Sequence, residues 1–306
     1  MKFLALILLS AIQIMSYNIR VSTASDGSND WEIRKPASVK MILDCKPDIV
    51  GLQEAMENQV LYLQDNCTGY EVIGVNRENG LPVKGEHMTI LYRSSTMKCY
   101  GWGTFWLSDT PAIPSMGWDG AYQRSATWAL MQDKRDGRIF FFVNTHLDHV
   151  GTLARSKGLA LIQERIAQIN PGNYPVVLTG DFNCTVDFPA LEGIRNTMDN
   201  AREKALISDN VKSYNAWGGD GGGNIDFIWY KGFGKCKSGP ITFPSSCWIT
   251  TINTIKIKHL IGLTSKISNA LGMAPTKGPK NGIILVIPTI TLIKTGYGNL
   301  KTNIQT

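Results

Sequence analysis

The chain has 306 residues, 43% hydrophobic and 18% charged, enough for a sizeable core in one large domain or two ordinary ones. No run of 18 or more apolar residues occurs, which argues against a transmembrane helix. The formal charge of +6 is uneven: nine lysines and no Arg, Asp or Glu fall in residues 232–306, so residues 1–231 carry 22 basic and 25 acidic groups, a net of −3, and the overall basicity is no argument for a nucleic-acid-binding face there.

The N-terminal "MKFLALILLSAIQ" carries one Lys and then ten residues, Phe3 to Ile12, that are apolar apart from Ser10. This pattern predicts a secretory signal over residues 1–11, cleaved near Ser10 or Ala11, with a secreted or endomembrane-lumenal product; the alternative is a long first strand continuing into "IQIMSYNI". Further along, "RKPASVKMILDC" predicts a helix, "PDIVGLQE" a strand and "MENQVLYLQDN" a second helix. Strand-like runs follow in "YEVIGVN", "MTILYR", "KCYGWGTFWL", "ATWALM" and "IFFFVNTHL". "TLARSKGLALIQERIAQI" has the clearest helical spacing, with Leu153, Leu159, Leu161, Ile162 and Ile166 on one broad face. "YPVVLTGDFN" is strand then loop, and "NIDFIWY" is another strand. Strands gathered in the middle with helices at both sides predict an α/β fold of two packed mixed sheets flanked by helices, a four-layer sandwich. Six cysteines permit disulfides in an oxidising compartment, and "NCT" at Asn66 is a glycosylation acceptor pattern.

Four of these strands share a design. "VGLQE", "VNTHLDH", "VLTGDFN" and "GNIDFIW" each place an apolar run beside a carboxylate, amide or imidazole. Strand ends that converge at one sheet edge make a rigid platform for a polar site. The apolar stretch belongs to the core and the polar end to the rim.

Taken in order, "MSYNIR" (15–20), "LQE" (52–54), "GEHMTILYR" (85–93), "FWLSDTP" (105–111), "RSATWA" (124–129), "NTHLDH" (144–149), "TGDFN" (179–183) and "IDFI" (225–228) resemble the endonuclease/exonuclease/phosphatase superfamily, which has the deoxyribonuclease I-like fold. "FWLSDTP", "GWD" and "NTHLDHVG" look most like its secreted and bacterial members near the carbon-catabolite-repressor deadenylase branch. The resemblance implies a phosphoesterase that uses Mg²⁺ (or Mn²⁺) on oxygen ligands, with Glu54 as metal ligand and Asn18 contributing or hydrogen-bonding nearby. By the same likeness Asp181 orients or deprotonates the attacking water, Asn183 contacts the phosphate, and His146 donates to the phosphate or leaving group. Asp226 corresponds to the carboxylate that orients the family's second catalytic histidine. Arg124 is a candidate bidentate clamp on a phosphate oxygen, and Asp148 and His149 are candidates to line the substrate site.

The likeness covers residues 12–231 and then stops. The family's closing Ser-Asp-His strand has no counterpart: of the four histidines only His149 follows an Asp, and His259 lies in "KIKHLIG" with no acid near it. Residues 232–306 therefore count as a lysine-rich, acid-free tail, arising from a lost reading frame or from a diverged extension. Its only strand candidate, "GIILVIPTITLI", is interrupted by Pro288, and the missing Ser-Asp-His strand is expected to leave an unpaired edge in a central sheet. The expected substrate is a phosphodiester, nucleic acid first, cleaved by a 3′–5′ exonuclease or an endonuclease. Trp102, Trp106, Trp118 and Trp217 are candidates to stack on its bases. A phosphatase or a sphingomyelinase-type enzyme is the alternative, and so is an inactive member that binds phosphorylated ligands. A monomer without a stable protein partner is expected.

Overall fold

In the computed structural model, residues 12–205, 212–214 and 223–233 are described, together with the backbones of two later strands. The proposed signal, residues 1–11, lies outside the described residues, as do Trp217 and His259. In chain order the elements are β1 (Ile12–Asn18), α1 (Trp31–Cys45), β2 (Ile49–Gln53), β3 (Ala55–Met56), α2 (Glu57–Asn66), β4 (Tyr70–Ile73), β5 (Glu86–His87), β6 (Ile90–Arg93) and β7 (Met97–Trp106). They continue with β8 (Ser125–Asp133), β9 (Ile139–His146), α3 (Thr152–Ile169), β10 (Val176–Asp181), α4 (Glu192–Arg195), β11 (Asp199–Asn200), α5 (Ala201–Lys204), β12 (Asp226–Lys231), β13 (Cys247–Asn253) and β14 (Thr289–Thr295).

Two six-stranded mixed sheets stack face to face. Sheet one has the order β13-β14-β1-β2-β6-β4 and sheet two the order β11-β12-β10-β9-β8-β7. Three apolar layers result. Ile14, Ile49, Ile90, Phe140, Phe142, Val177 and Ile228 fill the space between the sheets. Phe141, Val143, Val176, Leu178, Phe227 and Trp229 face outward from sheet two onto Leu159, Ile162 and Ile166 of α3. Met15, Tyr17, Val50, Leu52 and Leu91 face outward from sheet one onto Ile42 of α1 and Leu63 of α2. This is the expected four-layer α/β sandwich. It also explains the unbroken run Ile139–Val143: alternate residues point to opposite faces, and here both faces are covered.

Local signals set the element ends. Helix α1 begins three residues before the expected Arg34, where Trp31 buries its ring edge-on to Tyr62 (5.8 Å). It stops at Lys46, which is left-handed (φ 49°) and precedes Pro47. The first turn of α3 is capped from outside, because the Asp119 carboxylate accepts the N–H groups of Leu153 (3.1 Å) and Ala154 (2.6 Å). Leu153, expected on the buried face, is 49% exposed, and its neighbour Ala154 is the buried residue of that first turn.

The unpaired edge expected in a central sheet does not fall at β1, which has neighbours on both sides. β14 runs parallel to β1, with Ile12 opposite Ile290 and Tyr17 opposite Thr295, and β13 pairs antiparallel with β14. The strand starts one residue after Pro288, so the proline costs no ladder hydrogen bond within it. Among the described residues, no helix is long and apolar enough to cross a membrane.

Candidate active site

Three polar residues stand at one level on three neighbouring strands of sheet two. His146 ends β9, Asp181 ends β10 and Asp226 opens β12; the ladders pair Asp181 with His146 on one side and with Asp226 on the other. Sheet one contributes Asn18 from the end of β1 and Glu54 from the residue after β2. Asn18 bridges the sheets: its Nδ2 donates to Glu54 Oε1 (2.9 Å) and to Asp181 Oδ2 (3.0 Å), while the Arg20 N–H (3.0 Å) holds its Oδ1. The Val21 N–H donates to Glu54 Oε2 (3.1 Å). Asn183 closes the group, with its N–H on Asp181 Oδ1 (2.8 Å) and its Nδ2 on His146 Nε2 (3.0 Å) and the Leu147 carbonyl (2.9 Å).

The backbone turns sharply at these positions. Arg20 (φ 60°), Glu54 (φ 61°) and Asn183 (φ 49°) are non-glycine residues in the left-handed region, and all three line one cleft. Such conformations persist only where the surroundings over-determine them, and they gather at functional sites. The cleft has a volume of about 890 Å³ and is lined by Asn18, Glu54, His146, Asp181 and Asn183 together with Arg20, Arg77, Arg124, His149 and Tyr122.

Electrostatics in the cleft follow from burial. Desolvation and the neighbouring Asp226 push the Asp181 carboxyl up to about 8. Burial, then the Arg124 guanidinium, holds His146 well below the usual imidazole range, so the ring is neutral. With Asn183 donating to Nε2, the ring proton sits on Nδ1, 3.6 Å from Glu86 Oε1. Among the described residues no three His, Cys, Asp or Glu side chains form a ready-made metal cage. The donors present are the oxygens of Glu54, Asp181 and Asn18, and the crowding that keeps Asp181 protonated is relieved by a cation. One or two carboxylates, an amide and waters suit a hard divalent ion such as Mg²⁺.

Several sequence expectations need correction. Asp148 does not line the cleft. It is 2% exposed and accepts the N–H groups of Ala121, Tyr122, Val150 and Gly151 as well as Arg124 Nε (3.4 Å). Burial raises its pKa, but those backbone donors outweigh burial and hold the carboxyl well below the usual range. Arg124 is not positioned as a bidentate clamp: Nε goes to Asp148 and Nη2 to His149 Nδ1 (3.2 Å), leaving Nη1 buried without a hydrogen-bond partner. None of Trp102, Trp106 and Trp118 lines the cleft; Trp106 is buried with its Nε1 on the Arg77 carbonyl (2.6 Å). Asp226 pairs in the ladder with Asp181, and His87, a described histidine from elsewhere, is tied to the Val83 carbonyl.

Sequence reasoning passed over Glu86, Arg77 and Tyr122. Glu86 is 6% exposed and takes Arg77 Nη1 at 2.5 Å. Tyr122 stacks on His149 (5.7 Å between centroids, 21° between planes), with the Arg77 guanidinium carbon 5.2 Å from its ring centre. The signal for Glu86 was its place in "GEHMTILYR", four residues ahead of β6.

A model described as the endonuclease/exonuclease/phosphatase family matches residues 15–249. Among solved structures, an endonuclease/exonuclease/phosphatase family protein from Bacteroides thetaiotaomicron is 31% identical, covers 75% of this chain and 86% of its own, and superposes with a TM-score of 0.72. The mannosyl-6-phosphatase Bt3783 of the same species is 32% identical over 71% of this chain and 84% of its own, with a TM-score of 0.66. Protein L388 of Acanthamoeba polyphaga mimivirus is 26% identical over 196 residues, 60% of this chain and 70% of that one.

Proposed function

The chain belongs to the endonuclease/exonuclease/phosphatase family, and from that membership and the cleft we propose that it hydrolyses phosphoesters with the help of a divalent cation, Mg²⁺ or Mn²⁺. The observation that carries the reading is the row His146–Asp181–Asp226 on one sheet, facing Asn18 and Glu54 on the other across a single cleft. Glu54 and Asn18 would hold the cation, which supplies Lewis-acid polarisation of the phosphoryl group. Asp181, fixed at both carboxylate oxygens by Asn18 and Asn183, receives the proton of the attacking water. The unpartnered Nη1 of Arg124 supplies a donor for a phosphoryl oxygen, and neutral His146, its Nε2 held by Asn183, lines the same cleft.

For the substrate, the cleft supports a small phosphorylated molecule ahead of a polymer. Its volume matches a small-ligand pocket. The slightly acidic residues 1–231 offer no dense cationic track, and a phosphatase acting on a mannosyl 6-phosphate stands among the relatives. The nucleic-acid reading remains the second one, supported by exposed Tyr122 and Tyr214 at the cleft as stacking surfaces. EDTA-sensitive phosphate release from sugar phosphates, measured beside degradation of single-stranded DNA and RNA, separates the two. Binding of phosphorylated ligands with no turnover of any of them would support an inactive member instead. Secretion rests on residues 1–11 by sequence, and N-terminal sequencing of the exported protein tests it.

A further inference from the structure

Directly behind this row the two sheets are joined by polar side chains inside an otherwise apolar interface. Asn144 of β9 sends its amide out of sheet two and into sheet one. Its Nδ2 donates to the carbonyls of Leu52 (2.7 Å) and Thr89 (3.0 Å), at the end of the β2–β6 ladder. Its Oδ1 accepts from Gln53 Nε2 (2.7 Å) and from Thr179 Oγ1 (3.1 Å), and Gln53 Nε2 also lies 3.3 Å from Ser16 Oγ. Gln53, Asn144 and Thr179 have no exposed surface. Gly51 makes the room, since a Cβ there would stand 2.4 Å from Thr179 Oγ1 and 2.5 Å from Asn144 Oδ1.

These residues are placed by a rule. Ser16 precedes Asn18 by two positions, Asn144 precedes His146 by two, Thr179 precedes Asp181 by two, and Gln53 precedes Glu54 by one. Residues two apart on a strand share a face, so three of the tie's members lie one step beneath a residue of the site. A buried polar cluster adds little net stability over apolar groups of the same shape, but its donors and acceptors pair in few geometries and so admit few relative settings of its two sides. Of the described side-chain atoms of Ser16, Gln53, Asn144 and Thr179, only Gln53 Oε1 lacks a partner. The site itself is assembled across the gap this cluster spans: Asn18 and Glu54 come from one sheet, His146 and Asp181 from the other.

We propose that Asn144, with Gln53 and Thr179, acts as a positioning residue of the reaction, its amide fixing the sheet-to-sheet setting that brings Glu54 and Asn18 against Asp181 and His146. The proposal rests on the phosphoesterase reading. Thr179→Val keeps the side-chain shape and removes the hydroxyl, whereas Thr179→Ser keeps the hydroxyl and removes a methyl. The full chain carrying either change, or Asn144→Leu, is compared with wild type in hydrolysis of p-nitrophenyl phosphate, calorimetric titration with Mn²⁺ and thermal unfolding. Partners that orient a site from outside are worth about 10–100-fold in activity or metal affinity. Thr179→Val and Asn144→Leu are therefore expected to lose that much kcat with little change in KM, and to bind Mn²⁺ about 10-fold more weakly while still melting cooperatively. Thr179→Ser is expected to match wild type in both readouts. If Asn144→Leu does not fold, the Thr179 pair decides. A purely structural role reverses the order, with serine the worse variant and activity following Tm. That reversal, or equal kcat and Mn²⁺ affinity in all folded variants, overturns the tie. A wild type with neither turnover nor Mn²⁺ binding overturns the phosphoesterase reading and the tie with it.

Discussion

Asp148→Asn preserves the shape of a side chain whose two oxygens are fully engaged. Oδ1 accepts the N–H groups of Val150 (2.9 Å) and Gly151 (2.8 Å), and Oδ2 accepts those of Ala121 (3.0 Å) and Tyr122 (3.2 Å) and the Nε of Arg124 (3.4 Å). Asparagine keeps one oxygen, so in either orientation an NH₂ group faces at least two N–H donors. A hydrogen bond to a charged acceptor contributes about 1.5–3 kcal/mol, and removing one partner of a buried ion pair costs about 3–5 kcal/mol. These figures describe the same loss, so the expected destabilisation at pH 7 is about 3–5 kcal/mol, a large part of the roughly 5–15 kcal/mol of a typical domain. Denaturant unfolding followed by tryptophan fluorescence measures it. The folded-state pKa of Asp148 lies below the unfolded value of about 3.9, so its stabilisation is present above that value and disappears as pH falls through the folded pKa. The gap between wild type and variant should hold steady from about pH 7 to pH 5 and narrow below about pH 4. A gap under about 1 kcal/mol at pH 7, or one that does not narrow in acid, refutes the reading that the Asp148 charge holds these five donors.

Asp181 carries the opposite sign. Its folded pKa of about 8 lies above the unfolded value of about 3.9, so the stability it lends is present in acid and lost as pH rises toward 8. In metal-free buffer Asp181→Asn should thus gain about 1–2 kcal/mol at pH 8 and nothing at pH 4, while losing turnover; a variant less stable at both pH values contradicts this. Glu54→Ala should lose more phosphoesterase activity than the 10–100-fold typical of changes outside the metal's own ligands, and retained EDTA-sensitive turnover removes Glu54 from the site. Gly51→Ala forces a Cβ against Thr179 and Asn144 and should cost about 1–3 kcal/mol in unfolding experiments; an unchanged Tm means that the sheets part easily there.

The frame of the molecule was legible because its strands announce themselves. Runs such as Ile139–Val143 and Val176–Leu178 are buried on both faces, and polar residues cluster where they end. Glu54, His146, Asp181 and Asn183, which line one cleft, were legible as candidates for the same reason, each standing at or just past the point where an apolar run stops. Sequence could not show how Asp148 spends its oxygens, because two of its donors, Ala121 and Tyr122, arrive from a loop more than twenty residues upstream. Glu86 was hidden for a related reason. It acquires its meaning from Arg77 across a turn and from His146 of sheet two, and neither distance is encoded in local pattern. The pairing of β14 with β1 was missed because Pro288 was weighed as a break within a strand, when it falls just before one.

The left-handed backbone at Glu54 has an evolutionary corollary. Glycine occupies that conformation without penalty, whereas a side chain there costs of order 1–3 kcal/mol, which the surrounding bonds to Asn18 and Val21 offset. Glycine at position 54 would relax the main chain but forfeit both bonds, so heat selection that is blind to turnover sets the one loss against the other. Whether position 54 keeps its carboxylate among the survivors reads out how far those two bonds, rather than any chemistry, hold the residue in place.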